Sequence, residues 1–155
     1  MRKLIVLLLA FAAVIGAPTA LAEKPIFAVA PAEDFVDSST CGFDVAVHYT
    51  VSGETAKTFA NGKVIVTGPL FAAFSANGKT ISLNISGPAT VVPGTDGSVA
   101  IIGRGVGAGP FLTPSGVTLA YAAGTVSLTD FASGTGPIVL EHGKILLDIC
   151  AALAA

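Results

Sequence analysis

Apolar and polar residues alternate with a period of two along most of this chain, most cleanly in Leu70–Gly87, LFAAFSANGKTISLNISG. Asn77-Gly78 is the dipeptide a two-residue type I′ turn asks for, because both central residues need positive φ. Folding about it sets Phe74 opposite Ile81, Ala72 opposite Leu83 and Leu70 opposite Ile85, all on one face. Thr80, Ser82, Asn84 and Ser86 fall on the other face. The stretch therefore predicts a half-buried antiparallel hairpin.

The same alternation recurs on either side. Phe43, Val45, Val47, Tyr49 and Val51 alternate with Asp44, Ala46, His48 and Thr50, which predicts a strand with His48 on its polar face. Ser52-Gly53-Glu54 reads as a turn. Thr55–Ala60 and Lys63–Thr67 flank Asn61-Gly62, a second type I′ signal. Ala89–Val92 and Ser98–Ile102 flank a turn-rich loop, Pro93–Gly97.

Gly103–Gly116, GRGVGAGPFLTPSG, interrupts the pattern and predicts a loop or a strongly bent strand. Val117–Ala122 and Thr125–Thr129 alternate about a turn at Gly124. Ser133–Pro137 is a further turn, and Ile138–Glu141 and Lys144–Ile149 flank His142-Gly143 as a last hairpin. No stretch beyond the N-terminal segment has a helical period.

About ten short strands with turns every 8–12 residues predict an all-β, antiparallel fold whose strands are mostly hairpin-connected. Edges are removed by closure into an up-and-down barrel or protected in a sandwich. Small residues such as Ala72, Ala73, Ala120 and Ala122 suit a tapering interior, which favours the barrel.

The N-terminus has a different character. Met1-Arg2-Lys3 is basic, Leu4–Ile15 is apolar, and Ala20-Leu21-Ala22 is an A-x-A cleavage pattern. This is a signal peptide over 1–22, too short in its apolar run to span a bilayer comfortably. Its removal from the 155-residue chain leaves 133 residues, Glu23–Ala155, enough for one core. Residues 23–40 read as an extended lead-in and 41–155 as a single β domain. No second long apolar segment follows, so the expectation is a secreted, extracellular protein without a stable membrane anchor.

The cleaved chain has six basic and ten acidic residues, a net charge of −4. That sparse, mildly acidic balance gives no footprint for nucleic acid or an anionic membrane surface. Cys41 and Cys150, the only cysteines, open and nearly close the domain. In an exported chain such a pair predicts a disulfide, with an intermolecular bridge and a metal site as competing readings. No histidine neighbours them, which argues against zinc.

Chemistry is sparse. His48 has Asp44 on its own strand and face, but four residues along a strand is about 13 Å. His142 neighbours Glu141, which points to the opposite face of an extended strand. Neither histidine forms a triad by sequence, and no G-x-S-x-G occurs. The glycines at 103, 105, 107 and 109 miss the G-x-G-x-x-G spacing. Arg104, among them, marks a possible rim. No carboxylate pair is brought together by sequence, and without Trp the aromatic residues fall on apolar faces. Asn84-Ile85-Ser86 matches a glycosylation sequon without the context to use it. No catalytic residue, metal ligand or cofactor is assigned, and His48, Arg104 and His142 stand as site candidates only.

Phe59-Ala-Asn-Gly-Lys63, Thr67-Gly-Pro69, the run Asn77–Pro88 and a cysteine near each end of the domain resemble a group of uncharacterised small secreted proteins of actinobacteria. The resemblance implies export and one all-β domain with two cysteines, and brings no chemistry. The function expected is a non-catalytic secreted domain that binds a small apolar ligand or a surface partner. A structural, cell-envelope-associated protein and a hydrolase or isomerase using His48 or His142 are the alternatives.

Overall fold

The Asn77-Gly78 turn forms as its chemistry dictates. In the computed structural model, which describes residues 24–30, 32–95, 98–128 and 136–155, Asn77 has φ 52° and Gly78 φ 74°. The turn joins β6 (Leu70–Ala76) to β7 (Lys79–Asn84), with Phe74 opposite Ile81 and Ala72 opposite Leu83. Ala72 and Phe74 are buried, while Thr80, Ser82 and Asn84 are exposed. The register read from the alternation is the register of the fold.

The remaining strands are β1 (Ile26–Val29), β2 (Phe35–Asp37), β3 (Val45–Ser52), β4 (Thr55–Thr58), β5 (Val64–Thr67), β8 (Ala89–Pro93), β9 (Val99–Thr113), β10 (Gly116–Leu128) and β11 (Val139–Asp148). All ladders are antiparallel. One sheet has the order β2-β3-β6-β7, the other β1-β4-β5-β8-β9-β10-β11. The chain passes between the sheets after β1, β3, β5 and β7. No closed barrel is found among the described residues.

The lead-in is extended but folded onto both sheets. Its β1 pairs with β4 and its β2 pairs with β3, Phe35 opposite Val47. The signal peptide expected over 1–22 lies outside the described residues, as does most of the turn expected at 133–137.

Two expected turns, at Gly124 and at His142-Gly143, are strand interiors instead, and of the loop or strongly bent strand expected over 103–116 the bent strand forms, as β9 through Thr113. Gly105, Gly124 and Gly143 stand on one rung across β9, β10 and β11, with φ 83°, 152° and 132°. Only glycine takes such angles without strain. A Cβ on Gly124 would sit 1.9 Å from the His142 carbonyl oxygen, and one on Gly143 2.1 Å from that of Ala123. The three strands bend together along this line, as glycine kinks bend a sheet. The bend is large. Val139 pairs with Ser127, which pairs with Ile102, yet the preceding Ile138 bridges to Phe111. Nine extended residues from Ile102 to Phe111 would cover about 30 Å in a flat sheet. The Ile138 amide donates to Pro110 O at 2.7 Å, and Leu112 N to Ile138 O at 2.9 Å. The sheet thus curls over a small core of Phe111, Ala120 and Ala122.

The main core lies between the sheets: Val45, Val47, Ala72 and Phe74 from one, Leu119 from the other, with Ile149 and Leu153. The last two belong to α1 (Ile149–Leu153), a helix the alternation did not predict. Asp148 caps it by accepting from Ala151 N at 2.9 Å, and the i, i+4 spacing puts Ile149 and Leu153 on one buried face. Asn77 Nδ2 donates to Leu153 O at 2.9 Å. Five residues are too few for a helical period to show in sequence.

Cys41 and Cys150 form a disulfide with Cα atoms 5.1 Å apart. It fastens the link between β2 and β3 of the four-stranded sheet to the helix that follows the last strand of the other.

Two further readings change. Asn61-Gly62 does not form a type I′ turn: only Gly62 has positive φ (80°), and Phe59 pairs with Lys63 across a three-residue loop. One αL residue suffices for that loop. In β3 the register shifts between Tyr49 and Val51, a bulge that leaves Val51 exposed.

Candidate functional site

Where β2 and the lead-in meet the two sheets, a cleft of about 610 Å³ opens between them. Phe35 and the chain to Thr40 form one wall. Val47, Tyr49 and Phe74 come from the four-stranded sheet, and Ala108–Pro110, Val117 and Leu119 from β9 and β10. A second cavity of about 240 Å³ runs under the curl of β9 and β10. Tyr49, Ile85, Ala108 and Ile138 line both, so the two are neighbours through a shared wall. The volumes fall in the range of small-molecule sites.

The wall made by the lead-in is held by two carboxylates. Asp34 accepts from Tyr49 N at 2.8 Å and lies 2.5 Å from His48 Nδ1. The His48 hydrogen bond, then the Tyr49 amide, hold the Asp34 carboxyl below its ordinary range. Asp37 Oδ1 accepts from Ser39 N at 2.9 Å, Ser39 Oγ at 3.0 Å and Thr40 N at 3.1 Å, turning the chain toward Cys41. Burial alone would raise the Asp37 carboxyl, but these hydrogen bonds outweigh it and keep it low.

The inner cavity is lined largely by glycine and aliphatic residues. Its ionisable lining residues are Tyr49, Glu54 and Arg104. Glu54 sits at the passage from β3 to β4, where its backbone is tightly fixed. Gly53 N donates to Pro69 O at 2.9 Å, Ala30 N donates to Glu54 O at 3.0 Å, and a Cβ on Gly68 would lie 2.7 Å from Glu54 Cα. Burial pushes the Glu54 carboxyl above its usual range. Burial, then the charges of Glu54 and Asp34, push the Tyr49 phenol up.

The sequence candidates are dispersed. His48 is exposed on the outer face of β3, and its carboxylate partner is Asp34 of the lead-in, not Asp44. His142 is exposed within β11, and the neighbouring Glu141 accepts from Ser127 Oγ at 2.6 Å. Arg104 is exposed at the inner cavity, where its amide donates to Pro88 O at 2.9 Å. Nothing brings these three together. No group of three or more His, Cys, Asp or Glu that could hold a metal occurs among the described residues.

Tyr49 and Glu54 went unrecognised in the sequence. Tyr49 reads as core on an apolar face, and Glu54 as a turn residue. Only the meeting of the two sheets turns both toward a cavity. No protein-family model, curated protein or solved structure matches the chain.

Proposed function

We propose that this protein is a secreted, non-catalytic β domain that binds a small apolar ligand between its two sheets. The observation that carries the reading is the cleft of about 610 Å³, lined mainly by apolar side chains from both sheets and continued by the inner cavity. No polar or charged side chain among the described residues is fully buried, and the histidines, His48 and His142, lie outside both cavities. In this reading the fold works as two open layers rather than a closed barrel, with the lead-in as one wall of the cleft. Export rests on residues 1–22 and agrees with the Cys41–Cys150 bridge. Kinship with small exported actinobacterial proteins is part of the same proposal.

The test is titration of the disulfide-intact protein with N-phenyl-1-naphthylamine, a neutral fluorophore that brightens in apolar surroundings. Saturable binding is expected, and Ala108→Phe, which fills the wall shared by both cavities, abolishes it. Absence of binding to the parent protein overturns the reading.

A surface partner is the second reading. Ile26, Phe27 and Val29 on the edge strand β1 are 71%, 64% and 77% exposed, an uncovered apolar edge. Retention of the protein on isolated cell envelopes, lost in Phe27→Ser, would favour it.

A further inference from the structure

We propose that Glu54 and Tyr49 form a polar anchor in the inner cavity for the protonated amine of an amphiphilic ligand whose apolar chain lies in the larger cleft. The inference rests on the apolar-ligand reading and adds the chemical class of the head group.

Three observations converge on it. First, Glu54 lines a cavity otherwise made largely of glycine and aliphatic residues, and among the described residues no hydrogen bond or ion pair reaches its carboxylate. A half-buried carboxylate without a partner costs folding free energy, and it is compensated when a cation or donor enters. Second, the Tyr49 side chain lines the same cavity and feels the Glu54 charge, and its hydroxyl also has no partner among the described residues. A phenol supplies both a donor and an acceptor, and so completes the coordination of an ammonium group. Third, the Glu54 backbone is rigidly placed. Its carbonyl is held by Ala30 N, and its Cα lies close to Gly68, so the backbone that carries the side chain is fixed before a ligand arrives.

The two cavities share Tyr49, Ile85, Ala108 and Ile138, so the anchor lies in the chamber that adjoins the larger cleft. Such a site, mainly apolar with a few convergent polar groups, fixes the orientation of a ligand as well as its affinity. Arg104 lines the same cavity and is the group that would favour an anionic head instead. Its side chain is exposed and makes no ion pair among the described residues. A solvated guanidinium offers a carboxylate little that water does not, whereas the partly buried Glu54, whose carboxyl burial pushes above its usual range, gains more from an ammonium. The geometry therefore favours the cation.

The experiment displaces bound N-phenyl-1-naphthylamine from the disulfide-intact protein at pH 7. The competitors are dodecylamine, 1-dodecanol and dodecanoate, each below its aggregation threshold. Dodecylamine is expected to displace the probe at a concentration roughly tenfold lower than 1-dodecanol, the size of one charge-assisted hydrogen bond. Glu54→Gln removes that preference while displacement by 1-dodecanol is unchanged, and Tyr49→Phe weakens it. The exposed control Glu33→Gln keeps it, which separates the anchor from general attraction to an acidic protein. Equal displacement by all three competitors, a preference for dodecanoate, or a preference that survives Glu54→Gln would overturn the anchor and leave the apolar cleft standing. Failure of the probe itself to bind would overturn both.

Discussion

Gly124 lies directly across from Gly143, and each occupies the space a side chain on the other would need. A Cβ on Gly124 would be 2.8 Å from Gly143 Cα, and one on Gly143 would be 2.7 Å from Gly124 Cα. With Gly105 on the same rung, they let three long strands bend together and place the inner cavity under the bend. Gly124→Ala or Gly143→Ala should cost at least about 1–3 kcal/mol, from strained backbone and close approach together. Gly107→Ala, with nothing within 4 Å of the new methyl, should change stability little. Urea unfolding of the three variants checks the contrast, and a Gly107 change as harmful as the Gly124 change would remove the bend line from the account.

The core face of the β6–β7 hairpin gives a second test. Phe74 is buried among Val45, Val47 and Leu119, so Phe74→Ala should cost about 3–5 kcal/mol. Leu83 is half-buried on the edge strand β7, and its truncation should cost less. Ser82, on the exposed face, should tolerate alanine within about 0.5 kcal/mol. Equal losses at Ser82 and Leu83 would mean the register is displaced by one residue.

The Cys41–Cys150 bridge spans 109 residues and ties the two sheets at the helix end of the core. Replacing both cysteines by serine should lower the unfolding free energy by about 2–5 kcal/mol. Thiol titration of the denatured, unreduced protein should find no free thiol. Two free thiols would leave the sheets joined by packing alone.

Asp34 and Glu54 should act on stability in opposite directions with pH. The folded-state pKa of Asp34 is lowered, so its stabilisation is complete above the unfolded value of about 3.9 and is lost as pH falls through the folded value. The folded-state pKa of Glu54 is raised, so the folded form holds its proton longer than the unfolded one. Stability therefore drops as pH rises from about 4.3 through the folded value, and the loss is complete above it. Thermal unfolding between pH 2.5 and 7 should show Glu54→Gln above the parent at pH 7 and Asp34→Asn below it, with the Asp34→Asn difference vanishing in acid. A Glu54→Gln protein no more stable than the parent at pH 7 would show that burial imposes no penalty on this carboxylate.

Fold class and one hairpin were legible because they are local. Period-two alternation fixes which residues share a face, and Asn77-Gly78 fixes where the chain reverses; both hold within a dozen residues. The cysteine pairing was legible for another reason, since two cysteines in one chain leave a single connectivity within the monomer. Gly105, Gly124 and Gly143 show where that reading ends. Gly124 and Gly143 look like turns in their own neighbourhoods and Gly105 like part of a loop or bent strand, and only lateral pairing reveals that they share a rung and bend continuous strands.

The candidate site was not legible at all. Glu54 is a turn residue by sequence and Tyr49 a core residue, and Asp34 and His48 are fourteen positions apart. By itself the sequence determined the all-β class, the faces of the β6–β7 hairpin, the Asn77-Gly78 reversal and the cross-link, because side-chain alternation and turn geometry are set by near neighbours. Tertiary structure decided the division into two sheets, the curl of β9–β11 and the cavity that Glu54 faces, because lateral strand order and sheet packing depend on contacts between residues far apart in the chain.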